Sequence, residues 1–163
     1  MKTKHILISF ILFFTVAAFS GNSQSKSLNG DWKLDMEKTT LSDGNLFLSK
    51  ITINLRNDSL LTVRTYQNAN GEEYPFSENL ALNGKDAKIT IYDMPRTSKA
   101  TKGADGSVLI ESVTTFYANG GEDSLTTKET WSIDAEGKVL SMVYTNKMSA
   151  GEASGTSYFN KTK

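Results

Sequence analysis

From about residue 28 onward the chain is divided into ten short runs rich in Val, Ile, Thr, Tyr and Phe. Clusters of Gly, Asn and Asp separate these runs, among them NANGEE, LNGK, NGGED and DAEGK. Such residues supply the positive φ angles that tight hairpins require. No segment with helical periodicity interrupts the series. Many short strands joined by regular turns are typical of an all-β sandwich or barrel, which limits the chain to those architectures.

Ten strands are predicted from the alternation and from the turn residues. They cover residues 28–36, 49–56, 59–67, 74–82, 87–94, 96–102, 107–118, 124–134, 138–148 and 155–162. Consecutive hairpins give an up-and-down order, and an even number of strands lets the first lie antiparallel to the last. Closure also removes the exposed strand edges that would otherwise pair with other chains. The sequence therefore predicts an all-β fold, an antiparallel up-and-down β-barrel of about ten strands.

Alternation in the opening strand separates its two faces. The inward face carries Gly30, Trp32, Leu34 and Met36, and the residues between them are charged. Because the tenth strand runs toward the end where the first begins, Trp32 is predicted to plug the apolar end of the barrel. Lys161 on the tenth strand then comes close enough to lie across the indole ring. Gly30, Trp32 and Lys161 are therefore the predicted barrel-closing residues.

The second and third strands are predicted to pair as a hairpin. The inward set consists of Ile51, Ile53 and Leu55 on one strand and Leu61, Val63 and Thr65 on the other. In this register Leu55 pairs with Leu61. Thr62 and Arg64 then face solvent.

The pairing of the seventh and eighth strands predicts which parts of the barrel interior are apolar and which are polar. Pairing Ile110 with Trp131 and Ser112 with Glu129 brings apolar side chains together at one end and polar side chains together above them. The barrel is thus predicted to have an apolar end and a hydroxyl-lined layer. The candidate ligand-binding residues lie on the inward faces of the seventh to ninth strands: Ser112, Thr114, Phe116, Thr127, Glu129, Trp131 and Tyr144.

Glu129 stands out because it shares an inward face with Trp131. A buried carboxylate without a partner is costly, so such a group has either a partner or a purpose. Glu129 is accordingly predicted to belong to a ligand pocket. The alternatives are that it lies near the rim or pairs with a lysine.

Residues 1–25 have the pattern of a cleaved signal peptide. Two lysines precede an apolar run over residues 6–19, which is shorter than the about 20 residues of a bilayer span. Cleavage is predicted after Ser20 or Ser25, leaving residues 26–163 as one domain. An uncleaved membrane anchor is the alternative. The leader predicts export to the periplasm or the exterior. Because the chain has no cysteine for lipid attachment, the product is expected to be soluble and not a lipoprotein, without stable membrane insertion.

The residues after this leader contain neither histidine nor cysteine, since the chain's one histidine is His5. This excludes Ser-His-Asp relays, thiol nucleophiles, and zinc or haem ligation by these side chains. No metal or other cofactor is predicted, and we expect a protein that is not an enzyme, although carboxylate and tyrosine chemistry stays open. Loss of Lys2 and Lys4 changes the formal net charge from +0 to −2, so no nucleic acid partner is indicated.

The Gly30-x-Trp32 pattern on a first strand, together with Lys161 on a last one, resembles the lipocalin and calycin group. The stretches LNGDWKLD, ITINLRNDSLLTV, ETWSIDAEGKVL and TSYFNKTK are similar to small exported lipocalin-like domains found in Bacteroidota. The resemblance implies a barrel interior that binds a small, largely apolar molecule. The alternative is a filled barrel with a structural or protein-interaction role in the cell envelope, without ligand or catalysis; the sequence names no protein partner.

Overall fold

All ten predicted runs of β-forming residues are strands in the computed structural model, which describes residues 27–40, 46–118 and 120–162. Within these ranges the chain contains no helix. The strands are β1 (Gly30–Leu34), β2 (Leu46–Leu55), β3 (Ser59–Asn68), β4 (Glu73–Ala81), β5 (Ala87–Ile91), β6 (Met94–Lys102), β7 (Val108–Ala118), β8 (Gly121–Ile133), β9 (Val139–Met148) and β10 (Gly151–Lys161). The predicted leader, residues 1–25, lies outside the described residues.

All strands belong to one antiparallel sheet in the order β4-β3-β2-β1-β10-β9-β8-β7-β6-β5. The prediction of an up-and-down barrel of ten antiparallel strands is confirmed. β1 pairs with β10, placing Trp32 opposite Lys161, and the Lys161 ammonium lies 5.2 Å from the indole ring centroid. The Trp32 Nε1–H donates to the Leu28 carbonyl at 2.9 Å, and Gly30 pairs with Ile53 on β2. The three predicted barrel-closing residues thus stand together where β1 begins.

The edge strands of the sheet are β4 and β5, and because β5 is short, β4 meets both β5 and β6 at a junction that we call the seam. Among the described residues no strand ladder joins these edges, and an isolated bridge between Asn83 and Thr101 lies near one end of the seam. Side chains span the rest: Glu78 on β4 accepts hydrogen bonds from Arg96 Nε at 2.9 Å and from Ser98 Oγ at 2.6 Å. The barrel is therefore nearly closed, and its last contact is made by side chains.

One end of the barrel, where β1 begins and β10 ends, is filled by apolar side chains and is called here the closed end. Its most deeply buried members are Trp32, Ile51, Leu60, Leu80, Val108, Ile110, Trp131, Leu140 and Phe159. Each fully buried aliphatic or aromatic side chain contributes about 1.5–3 kcal/mol to folding. The opposite end, where β2 begins and β3 ends, is called the open end.

The predicted register of the β2–β3 hairpin is wrong by one residue. Leu55 pairs with Leu60 rather than Leu61, because the Arg56 N–H donates to the Ser59 carbonyl at 2.8 Å and closes a four-residue turn over 56–59. A one-residue slip turns every side chain of a strand to the opposite face. Arg64, predicted to face solvent, is consequently 0% exposed inside the barrel.

The same slip turns outward the residues of β3 that had been predicted to face inward, Leu61, Val63 and Thr65. Leu61 and Val63 are 39% and 36% exposed, whereas Thr62 is buried. Thr65 is half-buried and alternates with the inward-facing Arg64. The face of β3 that points into the barrel is therefore far more polar than the alternation had indicated.

Two further predictions need correction. Met36 is 55% exposed because β1 ends at Leu34 and the Asp35 carboxylate accepts the N–H groups of Glu37 and Lys38 in a turn. The predicted pairing of β7 with β8 is wrong by two residues.

On those two strands Ile110 lies opposite Glu129, and Ser112 lies opposite Thr127. A shift of two residues keeps each side chain on its predicted face. Apolar and polar residues therefore face inward as expected, but with different cross-strand partners.

Candidate functional site

A polar layer lies directly above the closed end, because the inward side chains of several strands change from apolar to polar at the same level. Counted from the closed end toward the open end, the last apolar side chains before this change are Leu60 on β3, Ile110 on β7 and Trp131 on β8. Four charged side chains are buried in the described ranges, and all belong to this level: Arg64, Glu78, Arg96 and Glu129. We call these four the charged layer. Charges are buried in proteins only when they are paired.

Glu129 on β8 is held by two donors, Arg64 from β3 across the barrel and Trp131 from its own strand. Arg64 Nη1 donates to Oε1 at 2.8 Å, and Trp131 Nε1 donates to Oε2 at 3.0 Å. The guanidinium carbon of Arg64 also lies 4.9 Å from the Trp131 ring centroid. Because both Glu129 oxygens accept, the group has the bonding pattern of an ionised carboxylate. Glu129 is thus buried and paired with an arginine, neither at the rim nor bound to a lysine.

Glu78 and Arg96 form the second pair, across the seam. Besides its bond to Glu78, Arg96 donates from Nη1 to Thr114 Oγ1 at 3.0 Å. Glu78 Oε2 lies 3.7 Å from Arg64 Nε, which connects the two pairs into one cluster. With two guanidinium and two carboxylate groups, the charged layer has no net charge.

The electrostatics keep Glu78 and Arg64 ionised. Burial by itself would raise the pKa of Glu78, but the charges of Arg64 and Arg96 outweigh it and hold the pKa below its usual 4.5. Burial by itself would lower the pKa of Arg64, yet the carboxylates of Glu129 and Glu78 raise it above its ordinary value. Burial also raises the pKa of the nearby Tyr66 phenol above 10.0, so this phenol is uncharged at neutral pH.

A first cavity of about 290 Å³ lies between the charged layer and the open end. Its polar wall contains Arg96 and Glu129. The remaining lining is mixed but includes many apolar side chains: Leu34, Thr40, Leu46, Phe47, Leu48, Tyr66, Leu125, Thr127, Met142, Tyr144, Asn146 and Ser157. Thr127 uses its hydroxyl to donate to Asn146 Oδ1 at 3.0 Å. The sides of the cavity are therefore a mixture of apolar side chains and side chains with hydroxyl or amide groups, and one wall carries a charged pair that is neutral overall.

A second cavity of about 260 Å³ adjoins the first. The two share four lining residues: Leu46, Tyr66, Arg96 and Leu125. The rest of the second cavity is mainly apolar and aromatic, with Tyr74, Phe76, Ile91, Tyr92, Met94 and Thr114. Tyr66 and Phe76 stack with their ring centroids 6.0 Å apart. Arg96 is thus the charged group common to both cavities.

One glycine sets the shape of the first cavity. Gly155 on β10 pairs with Tyr144 on β9, and a Cβ atom at residue 155 would lie 2.7 Å from the Tyr144 hydroxyl oxygen. The missing side chain lets the Tyr144 ring lie against β10. Any larger residue at this position would push the ring away from the wall.

Several buried polar atoms have no hydrogen-bond partner among the described residues. They are Thr62 Oγ1, Ser112 Oγ, Glu78 Oε2, Arg64 Nε and Arg64 Nη2. An unsatisfied buried polar group costs about 1–3 kcal/mol. The charged layer therefore has more donors and acceptors than its own residues use.

Four of the seven predicted ligand-binding residues line one of the cavities: Thr114, Thr127, Glu129 and Tyr144. The other three lie elsewhere. Ser112 is buried without lining either cavity, Trp131 is fully buried in the closed-end core, and Phe116 is half-buried outside both linings. Ser112 and Trp131 lie too close to the closed end, where neighbouring side chains cover them.

Sequence reasoning missed the basic residues of the site. Arg64 was assigned to the outer face by the wrong hairpin register. Arg96 could have been found, because it alternates along β6 with Ser98 and Ala100, two small residues that also face inward. A long side chain in a row of small ones has room to cross the interior. Glu78 likewise alternates with the buried Leu80.

Comparison with known proteins gives no match to a family model, a curated protein or a solved structure. In the part of the chain that the structure describes, no group of three or more His, Cys, Asp or Glu residues could hold a metal ion. The same part has no helix that is long and apolar enough to cross a membrane.

Proposed function

We propose that this chain is a lipocalin-like binding protein that encloses one small, largely apolar molecule in the open half of its barrel. The observation that carries this proposal is the pair of adjoining cavities of about 290 and 260 Å³ above the charged layer. Small-molecule sites typically measure about 300–1,000 Å³ and combine apolar walls with a few polar groups. The export that residues 1–25 predict would place this binding outside the cytoplasm.

The distribution of packing supports binding over a purely structural role. Side chains at the closed end fill the interior, with Trp32, Trp131 and Phe159 no more than 1% exposed. Small barrels either fill their interior in this way or leave room for a ligand. Here the filling stops at the charged layer, although nothing in an up-and-down sheet requires it to stop there. The closed end of the barrel provides stability, and the half toward the open end provides the binding site.

The first test is native mass spectrometry of the full chain, expressed in its own host and purified gently. We expect a discrete small mass that accompanies the native protein and disappears on denaturation. A bare native mass repeated across growth conditions would count against the proposal and in favour of the filled structural barrel.

A pair of matched variants tests the location. Leu125 lines both cavities, so Leu125→Trp places an indole in the space of the ligand. Val113→Trp adds the same side chain to the outer surface, where Val113 is 42% exposed. With the uncharged fluorescent probe Nile red, we expect saturable binding by the native protein and by Val113→Trp. Leu125→Trp should lower the affinity about tenfold or more, and equal affinities would place the bound probe elsewhere.

A further inference from the structure

We infer that the ligand of this barrel is an uncharged amphiphile, with a hydroxyl, ether or carbonyl oxygen directed at Arg96. The inference rests on the proposed function and names the class of molecule that the same site takes. Its basis is the charge count of the interior together with the unused donors around it.

The charge count disfavours an ionised ligand group beside the charged layer. Arg64 and Arg96 already face Glu78 and Glu129, with separations of 2.8 Å, 2.9 Å and 3.7 Å between paired atoms. The layer is therefore neutral before any ligand enters. A carboxylate placed beside it would leave one buried negative charge in excess, and an ammonium group would leave one positive charge. An uncompensated charge in a low-dielectric interior is strongly unfavourable.

The unused hydrogen-bonding capacity favours an acceptor. Arg96 donates from Nε and Nη1, and its Nη2 makes no hydrogen bond to the described residues although Arg96 lines both cavities. Glu129 already accepts one bond at each oxygen and can donate none, so the unused donor that faces the ligand belongs to Arg96. A neutral oxygen can accept from Arg96 without changing the charge balance. The apolar walls then surround the rest of the molecule.

The first experiment compares three probes with the same eight-carbon chain on the native protein. Octan-1-ol is neutral, octanoate is negative and octan-1-amine is positive at pH 7. Each is titrated directly by isothermal titration calorimetry and also in competition with bound Nile red. We expect octan-1-ol to bind about tenfold or more tightly than either charged probe, because each charged probe unbalances the layer.

A variant of Glu78 is designed to shift the preference toward the negatively charged probe. Both hydrogen bonds to this carboxylate fall on Oε1, whereas Oε2 accepts none among the described residues. Glu78→Gln can keep the accepting oxygen and removes only the charge, which gives the layer a net charge of +1. We expect the affinity ratio of octanoate to octan-1-ol to rise about tenfold or more. Glu111→Gln makes the same charge change on the outer side of β7, beside Lys99, and should leave the ratio unchanged.

The outcomes separate the two proposals. If neither Nile red nor any of the three probes binds, the proposed function fails. If octanoate or octan-1-amine binds the native protein as tightly as octan-1-ol, the charge argument is overturned while the binding function stands. A ratio that moves equally in both variants also overturns it. If Glu78→Gln does not fold, the order of the three probes on the native protein still decides.

Discussion

Replacing Arg64 with methionine should destabilise the protein more than any substitution on its surface. Arg64 is 0% exposed, donates to Glu129 at 2.8 Å and lies 4.9 Å from the Trp131 ring. Methionine keeps much of the side-chain length but leaves the charged layer with an excess negative charge. Removing one partner of a buried pair costs about 3–5 kcal/mol, against a total stability of about 5–15 kcal/mol for a typical domain.

The assay is equilibrium unfolding in urea, followed by the fluorescence of the two tryptophans. With a slope of about 2 kcal/mol per molar urea, a loss of 4 kcal/mol moves the midpoint by roughly 2 M. Arg56→Met is the control, because Arg56 is exposed in the β2–β3 turn and its loss should cost less than about 0.5 kcal/mol.

A double-mutant cycle with Glu129→Gln isolates the pair. That change alone should cost about 3–5 kcal/mol, since it leaves two guanidinium groups with one carboxylate. In the Arg64→Met background the same change removes the excess negative charge, so it should cost little or be stabilising. The two substitutions are therefore expected to be non-additive by about 2 kcal/mol or more. Additivity within about 0.5 kcal/mol would refute the contact, because only independent sites add in this way.

Three other results follow from the packing. Leu60→Ala should cost about 2–5 kcal/mol in urea unfolding and Leu61→Ala less than about 0.5, and equal losses would contradict the observed hairpin register. The lowered pKa of Glu78 implies stabilisation that is complete above its usual value of 4.5 and is lost as pH falls through the lower folded value. Stability measured from pH 7 to 2 should therefore fall less steeply in Glu78→Gln, and an unchanged slope would argue against the ion pair. Gly155→Val should push the Tyr144 ring into the first cavity and weaken Nile red binding about tenfold, whereas unchanged binding would exclude that cavity as the site.

The overall fold could be predicted from the sequence because its signals are local and repeated. Each strand carries its own alternation, and each turn carries residues suited to positive φ. The pairing of β1 with β10 followed from the even number of strands, and it brought Trp32 opposite Lys161.

The composition of the interior was harder to predict, since it depends on register. Two adjacent leucines, Leu60 and Leu61, follow the first residue of β3, so its apolar pattern fits either face. A four-residue turn decides between them, and with that choice Arg64 moves from solvent to the centre of the barrel. No local signal in the sequence carries this information.

The cavities could not be derived from the sequence at all. Their walls combine residues from distant parts of the chain, such as Leu34 on β1 and Tyr144 on β9. Whether such side chains meet or leave space depends on the curvature of the sheet and on rotamers. Inward-facing residues could be named, but not which of them would be covered by their neighbours.

The position of the seam determines which part of the wall can open by itself. The residues that close it, Glu78 with Arg96 and Ser98, are only 18 and 20 positions apart, whereas Asp31 and Thr162 beside the β1–β10 ladder are separated by 131. Loop-closure entropy grows with the logarithm of length, so re-forming the shorter connection is easier by about 1.7 kcal/mol. Opening the seam therefore breaks side-chain contacts and the isolated Asn83–Thr101 bridge while the strand ladders persist. Separating β1 from β10 breaks a backbone ladder between two strands from opposite ends of the described chain. Backbone amide hydrogens around the seam should accordingly exchange with solvent through local opening. Those of β1 and β10 should exchange through global unfolding.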